Sequence, residues 1–127
     1  MLQSSDVVAF VPSKNPRHAR PFYEKVLGLR FVSADQFAHV FAAKGGDVTI
    51  RVVDVSSVKS FTPAPFTILG WHVSDIAKTV KELHKKGVTF ERYPGMEQDE
   101  RGVWTSPSGA KVAWFKDPDR NVLSITE

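Results

Sequence analysis

The chain has 127 residues, 42% of them apolar and 24% charged, with eight Gly, eight Pro and no Cys. That suffices for one domain with its own core, and zero cysteines exclude a disulfide framework, a Cys-ligated zinc, an iron–sulfur cluster and a thiol nucleophile, so the cytoplasm is the expected compartment. Seventeen Lys and Arg against fourteen Asp and Glu give a formal charge of +3, but the cations are scattered and lack an aromatic-interleaved stripe, so no nucleic-acid partner is expected.

The first six residues have neither a basic leader nor a long apolar run, and the apolar stretch at 7–11 is too short to span a bilayer; no export and no membrane partner are expected. Residues 6–11 read as a buried strand. Pro16 opens a helix with Ala19, Phe22 and Val26 on one stripe and Gly28 as its stop. Three strands follow at 30–33, 37–42 and 47–53, the last two joined through Gly45 and Gly46. From residue 54 to 65 the pattern dissolves into Ser, Lys, Thr and Pro, which reads as a linker. A strand at 67–73 then leads into a helix at 75–86, with Ile76, Val80 and Leu83 apolar and Gly87 as its stop. Strands are expected at 89–92, 103–105, 111–116 and 122–126, separated by the turns Pro107-Ser108-Gly109 and Asp117-Pro118-Asp119.

Strand, helix and a run of strands thus occur twice. Gly28-Leu29-Arg30-Phe31 after the first helix matches Gly87-Val88-Thr89-Phe90 after the second, and Asp47-Val48-Thr49-Ile50 matches Asn121-Val122-Leu123-Ser124. The expected fold class is α+β, a single domain over 1–127 made of a module at 1–55, a linker at 56–65 and a module at 66–127. Each helix covers one face of its sheet, leaving the other face free to curve around a ligand.

Three segments carry a resemblance: Phe22-Tyr23-Glu24-Lys25-Val26-Leu27-Gly28-Leu29, Trp71-His72-Val73-Ser74-Asp75-Ile76, and Phe115-Lys116-Asp117-Pro118-Asp119-Arg120-Asn121. With the doubled pattern around them, the chain resembles the vicinal oxygen chelate superfamily, the group of glyoxalase I, bleomycin-resistance proteins and extradiol dioxygenases. The resemblance implies two βαβββ modules forming a cup, within one chain or between the chains of a dimer, with ligand or metal on the concave side. It also implies a homodimer, since pairing covers the sheet edges. Arg120 departs from the pattern, standing where relatives commonly have Gly.

The resemblance further implies four inward positions for metal ligands. Anchored on Val11, Val73 and the final strands, they fall at Asp6, Ile68, Ile50 and Ser124. Only Asp6 is a competent ligand, and a one-residue shift brings Ser5, Thr67, Thr49 or Leu123, which are no better. His18 and His84 fall on helices, and His39 with His72 is the one pair able to converge from separate strands. The expected site therefore has no metal and no cofactor. Ile50, Ile68, Val8, Val48 and Val122 would form an apolar floor with Asp6, His72 and Ser124 as its polar points. At least one of Trp104 and Trp114 should reach it. The segment 93–102, with Met96 and Gln98, either covers the mouth or is a solvated turn.

The leading expectation is a metal-free protein binding a small apolar or aromatic ligand through Asp6, Ile50, Ile68, His72, Met96, Gln98, Trp104, Trp114 and Ser124. The alternative is a lyase or dioxygenase-like enzyme, with unusual metal ligands or with Asp6 as base, its pKa raised among apolar neighbours, and His72 as acid. A third possibility is an interaction module whose cup is filled by its own side chains.

Overall fold

The computed structural model describes residues 1–127. The chain divides into two compact units, Met1–Pro63 and Ala64–Glu127, and each is a βαβββ module with one four-stranded mixed sheet.

In the first unit a short 3₁₀ turn, Leu2–Ser4, precedes β1 (Val7–Ser13), α1 (Pro16–Pro21), β2 (Arg30–Ala34), β3 (Ala38–Ala43) and β4 (Val48–Asp54). The strand order is β1-β4-β3-β2, with β1 parallel to β4 and the other pairs antiparallel. Asn15 caps α1 by accepting from the His18 N–H at 3.3 Å, and Pro16 occupies the first turn, where its missing N–H costs nothing. Pro21 cannot donate to the turn before it, and the helix widens into a π-turn over Phe22–Val26, closed by the Leu27 N–H to the Phe22 carbonyl at 2.9 Å.

That widening changes which side chain reaches the core. The expected stripe ran from Ala19 through Phe22 to Val26; instead Tyr23 is 0% exposed while Phe22 and Val26 are half-buried. Tyr23 meets Phe22 in a T-shaped contact at 5.3 Å and lies 5.7 Å from the Phe41 ring, which in turn packs at 5.7 Å on Phe31. Val11, Ile50, Val52 and Phe41 complete this core between α1 and the sheet.

The second unit comprises β5 (Thr67–His72), α2 (Ile76–Lys85), β6 (Trp104–Thr105), β7 (Lys111–Lys116) and β8 (Val122–Thr126), in the order β5-β8-β7-β6 with β5 parallel to β8. Its topology repeats that of the first. Asp75 caps α2 through the Lys78 N–H at 3.0 Å, and the Glu127 carboxylate accepts from the Ile76 N–H at 2.9 Å, tying the chain end to the start of the helix. Ile76, Val80 and Leu83 are buried on the α2 face, over a sheet face formed by Ala113, Phe115, Leu123 and Ile125.

The stretch 89–92, expected as a strand, is not one. It runs beside β7 through a single ladder bond, the Glu91 N–H to the Trp114 carbonyl at 2.8 Å, before the following loop folds back on it. The turn before β8 is built on Asp117, whose carboxylate accepts from the Asp119 and Asn121 N–H groups and the Asn121 amide, each at 2.9 Å. That net holds Arg120 in the left-handed region at φ 69°, a conformation costing a non-glycine residue about 1–2 kcal/mol.

Candidate ligand site

In each unit, pairing register decides which side chains share the sheet face left open by the helix. In the first, Val8 pairs with Thr49 and Phe10 with Arg51, whereas Ala9 pairs with Ile50 and Val11 with Val52. Neighbours in register point the same way, so the open face carries Val8, Phe10, Thr49 and Arg51. Val8 and Phe10 are 47% and 64% exposed. Ile50, expected on this face, is on the other one, buried beneath α1 together with Phe41. Val48 follows it, sharing a face with Val7. The reason is the one-residue offset between β1 and β4, which turns Ile50 and Val48 to the side opposite Val8.

Asp6 lies just before β1 and is exposed. Of the apolar neighbours expected around it, Val8 is 47% exposed and Ile50 is on the opposite face.

In the second unit Ser124 pairs with Gly70 on β5 and with Trp114 on β7, and Thr126 pairs with His72 and Val112. Ser124 is buried, His72 is exposed at the end of β5, and Ile68 is half-buried where the register slips between Thr67 and Leu69. Trp104 pairs with Val112, so both tryptophans lie on the open face, their rings 6.2 Å apart. Tyr93 meets Trp114 edge-on at 5.5 Å. Burial, then the nearby Glu91 carboxylate, pushes the Tyr93 phenol up from its ordinary pKa, which keeps it a neutral hydroxyl. Lys116, on the same face of β7, pairs with Glu91 at 3.4 Å. The result is a half-buried aromatic wall of Tyr93, Trp104 and Trp114 beside two small residues, Gly70 and Ser124.

The loop at 93–102 is locked rather than loose. The Gln98 side chain accepts from the Tyr93 N–H at 2.8 Å and donates to the Glu91 and Gly102 carbonyls at 2.9 and 2.8 Å. Its amide is thereby occupied by the backbone of its own loop. Asp99 accepts from the Arg101 and Val103 N–H groups at 2.8 and 2.9 Å. Met96 is half-buried. Trp104 also borders a groove of about 520 Å³ with Gly95, Glu97, Asp99 and Val103.

The two modules can be compared place by place. Ser124 stands between the core residues Leu123 and Ile125 and beside Gly70 on the parallel first strand; Arg51 stands between Ile50 and Val52 and beside Phe10. Arg51, not Ile50, is therefore the counterpart of Ser124. A guanidinium has no lone pair to offer, and a serine hydroxyl is a weak neutral ligand, so neither of these two places supplies a strong donor for a divalent ion. Nowhere in the chain do three His, Asp or Glu side chains gather in a metal-binding group. His39 sits on the packed face of β3 with its ring 6.0 Å from Phe31 and its Nδ1 buried without a hydrogen-bond partner. His72 lies in the other unit.

A family model described as Glyoxalase/Bleomycin resistance protein/Dioxygenase superfamily matches residues 6–125. The chain belongs to this superfamily. Among solved structures, a superfamily member from Sphaerobacter thermophilus DSM 20745 is 20% identical with a TM-score of 0.77, over 100% of this chain and 99% of that one. A lactoylglutathione lyase from Agrobacterium tumefaciens is 17% identical, TM-score 0.73, covering 98% and 93%. TnmS3, an antibiotic binding protein from Streptomyces sp. CB03234, is 21% identical, TM-score 0.69, covering 98% and 96%. At these identities the likeness is one of fold, and the superfamily fold serves both lyase and binding protein. An uncharacterized Bacillus subtilis (strain 168) protein, YraH, is 40% identical over 58 residues, which are 46% of this chain and 39% of that protein.

No helix of the chain is long and apolar enough to cross a membrane.

Proposed function

We propose that this chain is a metal-free small-molecule-binding protein of the superfamily, holding an aromatic or apolar ligand against Tyr93, Trp104 and Trp114 with Ser124 as a polar point. One observation carries the reading: the open face of the second sheet offers an aromatic wall and small residues, and the matching places in the two modules hold Ser124 and Arg51 instead of metal donors. Flat aromatic side chains give a large contact area at low entropic cost, as expected of a site that binds by stacking. The fold it shares with an antibiotic-binding protein supports the same reading. Acid–base catalysis by Asp6 and His72 finds no such support, since both side chains are exposed. A homodimer in the cytoplasm completes the proposal, the dimer covering exposed Val8 and Phe10.

Titrating intrinsic tryptophan fluorescence with neutral aromatic compounds tests it. Saturable quenching is expected, weakened about tenfold or more by Trp114→Ala. Tightly bound zinc, iron, nickel or manganese at one per chain in the purified protein, or binding indifferent to Trp114→Ala and Trp104→Ala, overturns the reading.

A further inference from the structure

We infer that the second module carries a separate site for a small aromatic carboxylate, on the helix side of its sheet. A groove of about 360 Å³ lies there between the last turns of α2 and the Glu100–Arg101 turn that ends the 93–102 loop. It is on the opposite sheet face from the tryptophans: Phe90 in its floor packs on the Phe115 ring at 5.6 Å, and Phe115 alternates with Trp114 along β7. Val80, the other apolar side chain of the floor, belongs to the buried stripe of α2. The volume is at the small end of ligand pockets, the size of a one- or two-ring molecule.

The rim supplies the charge. Lys81 and His84 come from α2, and Arg92 and Arg101 from the loop side, against one carboxylate, that of Glu100. Arg92 donates to the Glu100 carbonyl at 2.8 Å and the Gln98 carbonyl at 3.4 Å, neutral acceptors that fix the guanidinium without cancelling its charge. Glu100 reaches Arg101 at 3.5 Å, in an exposed pair of adjacent residues that screening leaves weak. Lys81 enters none of the ion pairs of the chain. An apolar floor under a net positive rim matches a molecule with one flat apolar end and one anionic end. An anion alone would have no use for the Phe90 and Val80 surface, and a neutral aromatic none for the rim.

The probe is 2-naphthoate, followed by ¹H–¹⁵N NMR, with 2-naphthalenemethanol and inorganic phosphate as controls. Saturable shifts are expected in the amides of 80–84, 89–92 and 100–101. Read at these amides, the naphthoate affinity should fall about tenfold in Lys81→Glu/Arg101→Glu, two exposed positions, while the alcohol, which belongs at the tryptophan wall, moves the same amides little and equally in both proteins. Thr89→Trp, at an exposed residue lining the groove, should abolish the shifts by filling the space. The inference is overturned if naphthoate shifts only the tryptophan indole signals, if the double reversal leaves its affinity unchanged, or if phosphate displaces it.

Discussion

Gly70→Ala tests the open face of the second sheet at its tightest point. Seven of the eight glycines have positive φ, and Gly70 is the exception; its backbone is one that alanine adopts freely, so what matters there is space. A Cβ at Gly70 would lie 2.7 Å from the Ser124 Oγ, 3.2 Å from its carbonyl oxygen and 3.8 Å from its carbonyl carbon. Rotating the hydroxyl relieves the first contact, but the second is to backbone held in two ladders, and the strands must part by a few tenths of an ångström. Overpacking of this kind costs about 1–3 kcal/mol, offset by the roughly 0.5–1 kcal/mol that alanine recovers in chain entropy. A net loss of about 1–2 kcal/mol is expected, seen by calorimetry as a fall of roughly 3–8 °C in Tm. Ser124→Ala in the same chain removes only the Oγ, whose contact the rotation already relieves, and leaves the backbone contact in place, so most of the loss should persist, with a coupling under about 0.5 kcal/mol in a double-mutant cycle. A Gly70→Ala protein as stable as the parent, or a loss that Ser124→Ala restores in full, would refute the packing argument.

Gln98→Leu keeps the volume but strands the Glu91 and Gly102 carbonyls and the Tyr93 N–H; a loss of about 2–4 kcal/mol is expected, with faster hydrogen exchange across 93–103. His39 supplies a pH dependence. Burial, then the charges of Arg20 and Arg17, hold its pKa below the ordinary 6.5. The unfolded chain therefore takes up the proton first, and this contribution to stability, complete above about pH 6.5, is lost as the pH falls toward the folded-state pKa. His39→Phe should flatten Tm against pH in that window, and an unchanged slope would refute the assignment.

What could be read without coordinates was whatever local chemistry decides. β7 and β8 begin and end where expected because Pro107-Ser108-Gly109 and Asp117-Pro118-Asp119 flank them with turns that admit little else. Tyr23 was missed because the apolar stripe presumed an ordinary helical advance, which the π-turn after Pro21 alters. For Ile50 a signal was present: Val48, Ile50 and Val52 alternate with the polar Thr49 and Arg51, the pattern of one packed and one open face. Matching the two halves residue by residue overrode it, and only the pairing of β1 with β4 fixes the offset. β1 itself is apolar on both faces through residue 11, so alternation says nothing there. Gln98 read as a ligand-facing residue because nothing local reveals that three backbone groups from both ends of its loop converge on it.

The pairing of each first strand with the last strand of its own module has a kinetic consequence. β1 finds its only neighbour in β4, Val7 against Val48, and β5 finds its own in β8, while no ladder joins residues before 63 to residues after 64. During synthesis the first sheet lacks its edge until residue 54 has emerged, after which every backbone partner it needs is already made. The nascent chain can close one loop of moderate length, then a second, instead of holding the first half open until the whole chain is released.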